Sequence, residues 1–450
     1  MPQYHYDKEE EPMKREFRIK AAALALAVAG TFGVALDVAA QSSNEIFVPV
    51  LVYRTGAYAP NGVPWADGFV DYLKLVNARD GGVNGVKIAY EECETGYATD
   101  RGVECYERLK SKKPVAFSPL STGITYALTD KVYGDHIVLI TAGYGRADSV
   151  DGAVFSWNFP MLGTYWDGAD ILVQHVKAKG NLKGKKIALV YHDSPYGKEP
   201  IPVLEELAKR EGFELVKLPV TAPGVEQKAT WLQIRQQRPD YVFVWGWGVM
   251  NSTALKEAIA VSYPRAQIYG VWWSAAEPDV VPAEMAAKGY NGLALGHSSE
   301  RDKPIHKEMI KYLYDKGQGT AKDRGEVGSV LYNRGMLSAM LTVESIRAAQ
   351  KKYGNRVVTG DEVRWGAENL TIDTARIKAL GVEGMMQPVK TSCADHGGVH
   401  AARIHTWDGG SWSYTSEMYT SQSKLLSPII KASAEKYAAE KKLPIGCKAG

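Results

Sequence analysis

The feature that most restricts the fold is an alternation, run twice, of short β-branched apolar segments with stretches of helical periodicity. Residues 46–53, 86–92, 115–119, 136–142 and 153–159 read as strands, as do 186–192, 214–220, 241–245, 267–272 and 292–296. Between them, Trp65, Phe69, Tyr72, Leu73 and Val76 recur at helical spacing. Across 99–111, Val103, Tyr106 and Leu109 share one helix face. Strand and helix in strict turn require parallel sheets with crossover helices, since parallel neighbours cannot be joined by a hairpin. The fold class expected is α/β, with two doubly wound parallel-sheet lobes of similar size. A chain of 450 residues also exceeds what one hydrophobic core supports.

Charge sets one class aside. Lys and Arg total 54 against 51 Asp and Glu, with no basic block beyond pairs such as Lys112-Lys113 or Lys441-Lys442. Nucleic-acid binding needs a concentrated basic footprint, so none is expected. The N-terminus carries a different signal. Lys14, Arg15, Arg18 and Lys20 precede an apolar run at 21–36, then Val38-Ala39-Ala40 offers the small side chains a signal peptidase reads. That run is short for a membrane span, which takes roughly 20 residues. An anchoring amphipathic helix is the alternative. Residues 1–40 are therefore expected to form an N-terminal extension and a cleaved secretory signal, with the mature chain starting near Gln41 and residing in the periplasm. No cysteine follows the apolar run, which argues against a lipid anchor. Residues 1–12 precede the signal, so translation starts at Met1 with a long charged region, or at Met13.

Four cysteines suit an oxidising compartment and favour two disulfides, Cys93–Cys105 and Cys393–Cys447, over free buried thiols. Closing the shorter loop, of about a dozen residues, stabilises by about 3 kcal/mol in the chain-entropy model. Cys393, Asp395, His396, His400 and His405 are metal-ligand types, but their spacing matches no structural zinc pattern, and no metal site is expected.

Ligands on open α/β sheets bind beyond the C-terminal ends of strands. Five unusual loops lie there: "SPLSTGITYAL", "TAGYGRADS", "YHDSPYGKE", "VWGWGVMNST" and "GVWWSAAEP". The first two concentrate hydroxyls and glycine, the others aromatics. Ser121-Thr122-Gly123 begins a helix, where hydroxyls and free N–H groups suit a carboxylate. A plain N-cap fits the same residues, and local sequence leaves both open. Arg146 reads as a solvated loop residue, with a ligand contact as the alternative. Tyr196 and Trp247 sit in glycine-flanked loops, where an aromatic has little core to reach. In "GVWWSAAEP", strand alternation sends Trp272 and Trp273 to opposite faces. Trp273 is assigned to packing and Trp272 to the site.

No catalytic constellation emerges: there is no Gly-x-Ser-x-Gly elbow, Walker loop or His-Glu-x-x-His, and nothing implies a cofactor. Asp167 and Asp170, three apart, read as a solvated helix face, and "GDEVRWGAEN" as a surface helix.

Together these features resemble the solute-binding proteins of ABC importers with the type I periplasmic fold, in the group typified by branched-chain amino-acid-binding proteins. The resemblance rests on "TGAYAPNGVPWADGFVDYLKLVNARDGGVNGVKIAYEE", the Ser/Thr loop after the third strand, "KKIALVYHDSPYGKE" and "RPDYVFVWGWG". It implies two lobes joined by a three-stranded hinge. Residues 41–163 and 297–385 would form lobe 1, and 164–296 lobe 2, with 386–450 returning to lobe 2 and carrying an extended tail. It implies that Ser121 and Thr122 hold a ligand carboxylate and that Ala142, Gly143 and Tyr144 add backbone contacts. Tyr196 and Trp247 would close from lobe 2, and Tyr332 would line the cleft. Where amino-acid-binding members carry an acid for the ligand's ammonium, a gap-free reading places Trp272; Glu277 or Asp279 is expected to reach in as a substitute. The function implied is capture of a small carboxylate-bearing solute, an aromatic acid or an amino acid, for an inner-membrane permease and its ATPase subunits, by a monomer. A branched-chain amino-acid-binding protein proper and a periplasmic ligand sensor of the same fold are the alternatives. An extracellular enzyme on this fold lacks residues for a mechanism.

Overall fold

The computed structural model describes residues 44–447. The expected signal segment lies outside the described residues. The first sheet comprises β1 (Ile46–Val52), β2 (Ile88–Glu94), β3 (Ala116–Phe117), β4 (Val138–Ile140) and β5 (Asn158–Phe159), connected through α1 (Ala59–Asp80), α2 (Thr99–Lys110) and α3 (Thr122–Asp135). All its pairings are parallel, and a bridge from Val50 to Ser118 sets β3 beside β1. The resulting order, 2-1-3-4-5, reverses direction between β1 and β3, the point at which such sheets open a ligand crevice. All seven residues of β1, IFVPVLV, are buried, as a strand covered by helices on both faces demands.

Leading in through α4 (Tyr165–Ala178), the second sheet takes β6 (Lys186–His192), β7 (Glu214–Val220), β8 (Tyr241–Trp245), β9 (Ile268–Gly270) and β10 (Asn291–Ala294). Between them run α5 (Pro195–Lys198), α6 (Ile201–Glu211), α7 (Lys228–Gln237), α8 (Val249–Ala260) and the short α9 (Glu277–Val280). The strand order is β10-β9-β8-β6-β7, all parallel. The chain then returns to the first lobe with α10 (Pro304–Tyr312), α11 (Val330–Tyr353) and α12 (Gly360–Glu368), and with β11 (Thr371–Ile372) and β12 (Val389–Lys390) flanking α13 (Thr374–Ala379). Here α11 crosses α1 at a reciprocal glycine contact. A Cβ on Gly68 would lie 2.0 Å from the Tyr332 carbonyl oxygen, and one on Gly335 1.9 Å from that of Trp65.

The C-terminal segment joins the second sheet and then leaves it again. β13 (Ala401–Trp407) joins β10 antiparallel, and β14 (Trp412–Tyr414) and β15 (Tyr419–Thr420) pair with it, so this stretch extends the second sheet. The next helix, α14 (Ser423–Lys441), goes back to the first lobe. There Tyr437 stacks on Phe155 at 4.8 Å, Ser433 donates to Asp148 at 2.8 Å, and Lys441 pairs with Asp130. Both expected disulfides are formed. The longer one, Cys393–Cys447, closes a 54-residue strap. Its two ends are held on the first lobe, by His396 N–H to Val150 and Gly446 N–H to Ala153. Its middle is built into the second sheet. The chain thus passes between the lobes a fourth time.

Three expectations fail here for one reason: distant chain covers the surface. Asp167 and Asp170 do not form a solvated face. Both are buried, because β15 and the start of α14 lie over α4. Asp167 completes a capping box with Thr164 and pairs with His400 at 3.1 Å, while Asp170 accepts the Gln422 N–H at 2.6 Å. In α12, Val363, Arg364, Gly366, Ala367 and Glu368 are buried, so it is only half a surface helix. Arg146 is also buried, against Asp148 at 2.8 Å and between the rings of Tyr126, Phe155 and Tyr437. The expected strand at 267–272 ends early as well: after Gly270 the chain turns into a single 3₁₀ turn, Trp272–Ser274.

Candidate functional site

An interior cavity lies where the strand ends of the two sheets face each other. Its wall consists of Tyr53, Tyr97, Leu120, Ser121, Thr122, Tyr144, Tyr165, Tyr196, Trp247 and Trp273. Each residue follows a strand: Tyr53 after β1, Tyr97 after β2, Leu120 to Thr122 after β3, Tyr144 after β4 and Tyr165 after β5. From the second sheet come Tyr196 after β6, Trp247 after β8 and Trp273 after β9. Of the expected site residues, the structure brings together Ser121, Thr122, Tyr144, Tyr196 and Trp247. A wider surface groove of about 720 Å³ runs over Ala59–Pro64 and Pro278–Pro282, but it contains no aromatic ring and lies off the strand ends.

Seven of the ten wall residues are aromatic, and five of them form a connected edge-to-face chain. Tyr97 meets Tyr53 (5.0 Å), Tyr53 meets Trp247 (6.2 Å), Trp247 meets Trp273 (5.4 Å) and Trp273 meets Tyr144 (5.9 Å). Such T-shaped pairs are a favoured aromatic geometry. On the far side Tyr165 tilts against Tyr196 at 5.3 Å. None of the ten residues is ionised at neutral pH, because burial pushes the hydroxyls of Tyr53, Tyr97, Tyr144, Tyr165 and Tyr196 upward and keeps them protonated. Polar character comes from hydroxyls. Ser121 caps α3, accepting from the Ile124 N–H at 3.3 Å. Thr122 accepts from the Gly145 N–H at 3.3 Å. Tyr144 accepts from Leu120 N–H at 2.9 Å, and Tyr196 donates to the Gly246 carbonyl at 2.8 Å. Two wall residues, Tyr97 (φ 65°) and Leu120 (φ 46°), hold left-handed conformations that cost roughly 1–2 kcal/mol each.

The cleft is shut. The centre of a water-sized sphere can move through only about 20 Å³ of the cavity. Contacts from lobe to lobe hold it closed: Tyr58 to His192 (2.8 Å), Asn61 to Asp279 (3.0 Å), the Val330 N–H to Glu277 (3.1 Å), and Tyr126 to Glu199.

Several expected positions lie elsewhere. Trp272 is fully buried behind the wall, parallel to Tyr165 at 5.9 Å, and it is Trp273 that faces the cavity. Both indoles donate to the Gly143 carbonyl at 2.6 Å. Gly143 therefore positions the tryptophans and is not itself on the wall. Its φ of 77° and the 2.6 Å approach a Cβ would make to Leu295 leave room for no other residue. Ala142 is buried below it. Tyr332 is not in the cleft; its hydroxyl donates to Asp71 at 2.8 Å inside the α1–α11 interface. Neither acid reaches in. Glu277 caps the Val330 N–H, and Asp279 is held by Asn61, Asn251 and the Ala276 N–H. Burial lifts the Asp279 carboxyl to about 7. The sequence reading missed Tyr53, Tyr97, Leu120 and Tyr165, although each lies within six residues of a strand end. It also missed Arg334, which lies over the Trp273 ring at 4.6 Å.

Residues 45–411 match the family model described as a periplasmic binding protein. The chain belongs to that family. Among solved structures, this periplasmic binding protein is similar to a chain described as an ABC transporter permease from the Pseudomonas fluorescens group. The two share 43% identity over 90% of this chain and 100% of the other, with a TM-score of 0.83. It shares its fold with a branched-chain amino-acid ABC transporter protein from Thermus thermophilus with bound valine (21% identity, 86% and 98% covered, TM-score 0.73). It shares it too with an ABC-transporter solute-binding protein from R. palustris in complex with benzoate (19%, 84% and 97%, 0.66). No curated protein matches the chain. The chain is thus a substrate-binding protein of the ABC-transporter family, not an enzyme. Family membership implies the periplasm, and no helix among the described residues is long and apolar enough to cross a membrane.

Proposed function

We propose that this protein captures a small aromatic carboxylate in the periplasm, as a monomer released from a cleaved signal near Gln41, and delivers it to an inner-membrane permease. The observation that carries the proposal is the cavity wall, seven aromatic rings and a Ser-Thr helix start with no carboxylate among them. A flat, apolar body matches the rings, and its carboxylate matches Ser121, Thr122 and the start of α3. An amino acid fits less well. Its ammonium would be desolvated without a counter-charge, at a cost of several kcal/mol. Cation–π attraction to the tryptophans returns only about 0.5–2 kcal/mol. Because the shut cavity is smaller than such a ligand, binding requires the lobes to open and reclose on it.

Thermal unfolding with benzoate, phenylacetate, L-valine and L-leucine tests this. A ligand at about one hundred times its Kd adds about 2.7 kcal/mol, a Tm rise of about 3 °C for a chain of this size. The aromatic acids are expected to give that rise. A shift with valine or leucine and none with the acids would make the branched-chain reading the correct one.

A further inference from the structure

Arg334, in the second turn of α11, is fully buried. Its Nε donates to His297 Nε2 at 3.1 Å and its Nη1 to the Trp272 carbonyl at 2.8 Å, while Nη2 has no partner. No carboxylate among the described residues forms an ion pair with it. A guanidinium so placed is expensive to bury unless its charge has a use. The groups around it offset its charge only in part. His297 accepts the Nε hydrogen, and burial keeps the rings of His297 and His405 uncharged. Of the two acids whose charge it senses, Glu277 and Asp279, both are pushed by burial toward the neutral form. Burial lowers the guanidinium itself only to about 10, so it remains a cation at neutral pH. The position of that charge matters. Arg334 lies over the Trp273 ring at 4.6 Å, and Trp273 is a cavity wall. Its charge also reaches Tyr165 and Tyr196, two more wall residues. Arg334 is not on the wall, so it acts on a ligand through the indole and through its field, not by contact.

We propose that Arg334 is the specificity-determining residue that makes this cavity select an anionic ligand over its neutral isostere. This cation, held in no ion pair and with one guanidinium nitrogen unpartnered, sits against an otherwise uncharged aromatic wall, in a medium that screens it far less than water does. The same charge repels an ammonium, which adds to the discrimination against amino acids. This rests on the reading that the cavity holds an aromatic acid.

The test is calorimetric titration of the full-length mature chain with matched pairs, benzoate against benzamide and phenylacetate against phenylacetamide, for the wild type, Arg334→Gln and Arg334→Lys. The wild type is expected to bind each acid at least about tenfold more tightly than its amide. In Arg334→Gln the ratio should collapse to within about threefold, with amide affinity little changed, and Arg334→Lys should keep the preference. A merely structural role would weaken acid and amide together. Should the Gln variant not fold, the wild-type ratio and that of the Lys variant decide. Equal binding of acid and amide by the wild type, or a ratio that survives in folded Arg334→Gln, overturns this inference alone. Failure of every acid and amide to bind overturns the aromatic-ligand reading, and this inference with it.

Discussion

Replacing Glu199 by Gln removes a buried carboxyl group that joins the two lobes. It follows α5 of the second lobe, accepts from the Tyr126 hydroxyl on α3, and accepts from the Ala147 N–H at 3.4 Å. Burial is the main cause that lifts its carboxyl to about 8; Asp148 adds to the rise, while the Tyr126 bond and Arg146 oppose it. In the unfolded chain a glutamate titrates near ~4.3. Between those values the folded protein holds a proton that the unfolded chain has released. The group's stabilising contribution is therefore complete below about pH 4.3 and is lost as pH rises through about 8. A shift of that size corresponds to roughly 3–5 kcal/mol across the window. Urea unfolding midpoints for the wild type and Glu199→Gln, taken from pH 5 to pH 9, isolate this carboxyl, because all others cancel in the difference. The wild type should lose stability relative to the variant steadily as pH rises from 5 to about 8, and the difference should level off above that. A difference curve flat across that range would refute the assignment of Glu199 as a protonated link between the lobes.

Four further outcomes follow from the same geometry. Opening the 54-residue loop with Cys393→Ser should cost about 4 kcal/mol, against about 3 kcal/mol for Cys93→Ser in its 12-residue loop, measured by urea unfolding under oxidising conditions. Trp273→Leu should weaken aromatic-acid binding by at least about tenfold, because it removes a wall ring. Tyr332→Phe should leave affinity unchanged and lower stability by about 1–2 kcal/mol, because its hydroxyl serves Asp71. His400, held up to about 11 by Asp167 and Asp395 against the pull of burial, contributes stability in full below its unfolded pKa near ~6.5 and loses it progressively as pH rises from there to about 11. His400→Gln should thus loosen the strap most below about pH 6.5 and progressively less above it, which proteolysis of the 400–420 stretch at several pH values will register.

The parallel strands of both sheets were legible in the sequence, because buried parallel strands leave continuous apolar runs and their crossover helices leave a regular period; the antiparallel β13, β14 and β15 were not. The location of the site followed from that order, since Ser121, Thr122, Tyr144, Tyr196 and Trp247 all follow strands. The choice between the two tryptophans was not legible. Strand alternation assumes a rotation of about 180° per residue, but the chain leaves the strand at Gly270, and a 3₁₀ turn rotates about 120°. Trp273 consequently takes the place assigned to Trp272. Asp167 and Asp170 were misread for a different reason: their partners His400, Ser421 and Gln422 lie over 230 residues away along the chain, beyond any local pattern. Arg334 has the spacing of an ordinary helix residue, and only the closeness of Trp273 marks it.

The central claim is that this periplasmic binding protein holds an aromatic carboxylate between its lobes. Native mass spectrometry of freshly purified protein, followed by release and identification of any retained small molecule, tests it most directly. The account predicts a mass increment that disappears on denaturation and belongs to an aromatic acid. Release of valine, leucine or another amino acid in its place would contradict it.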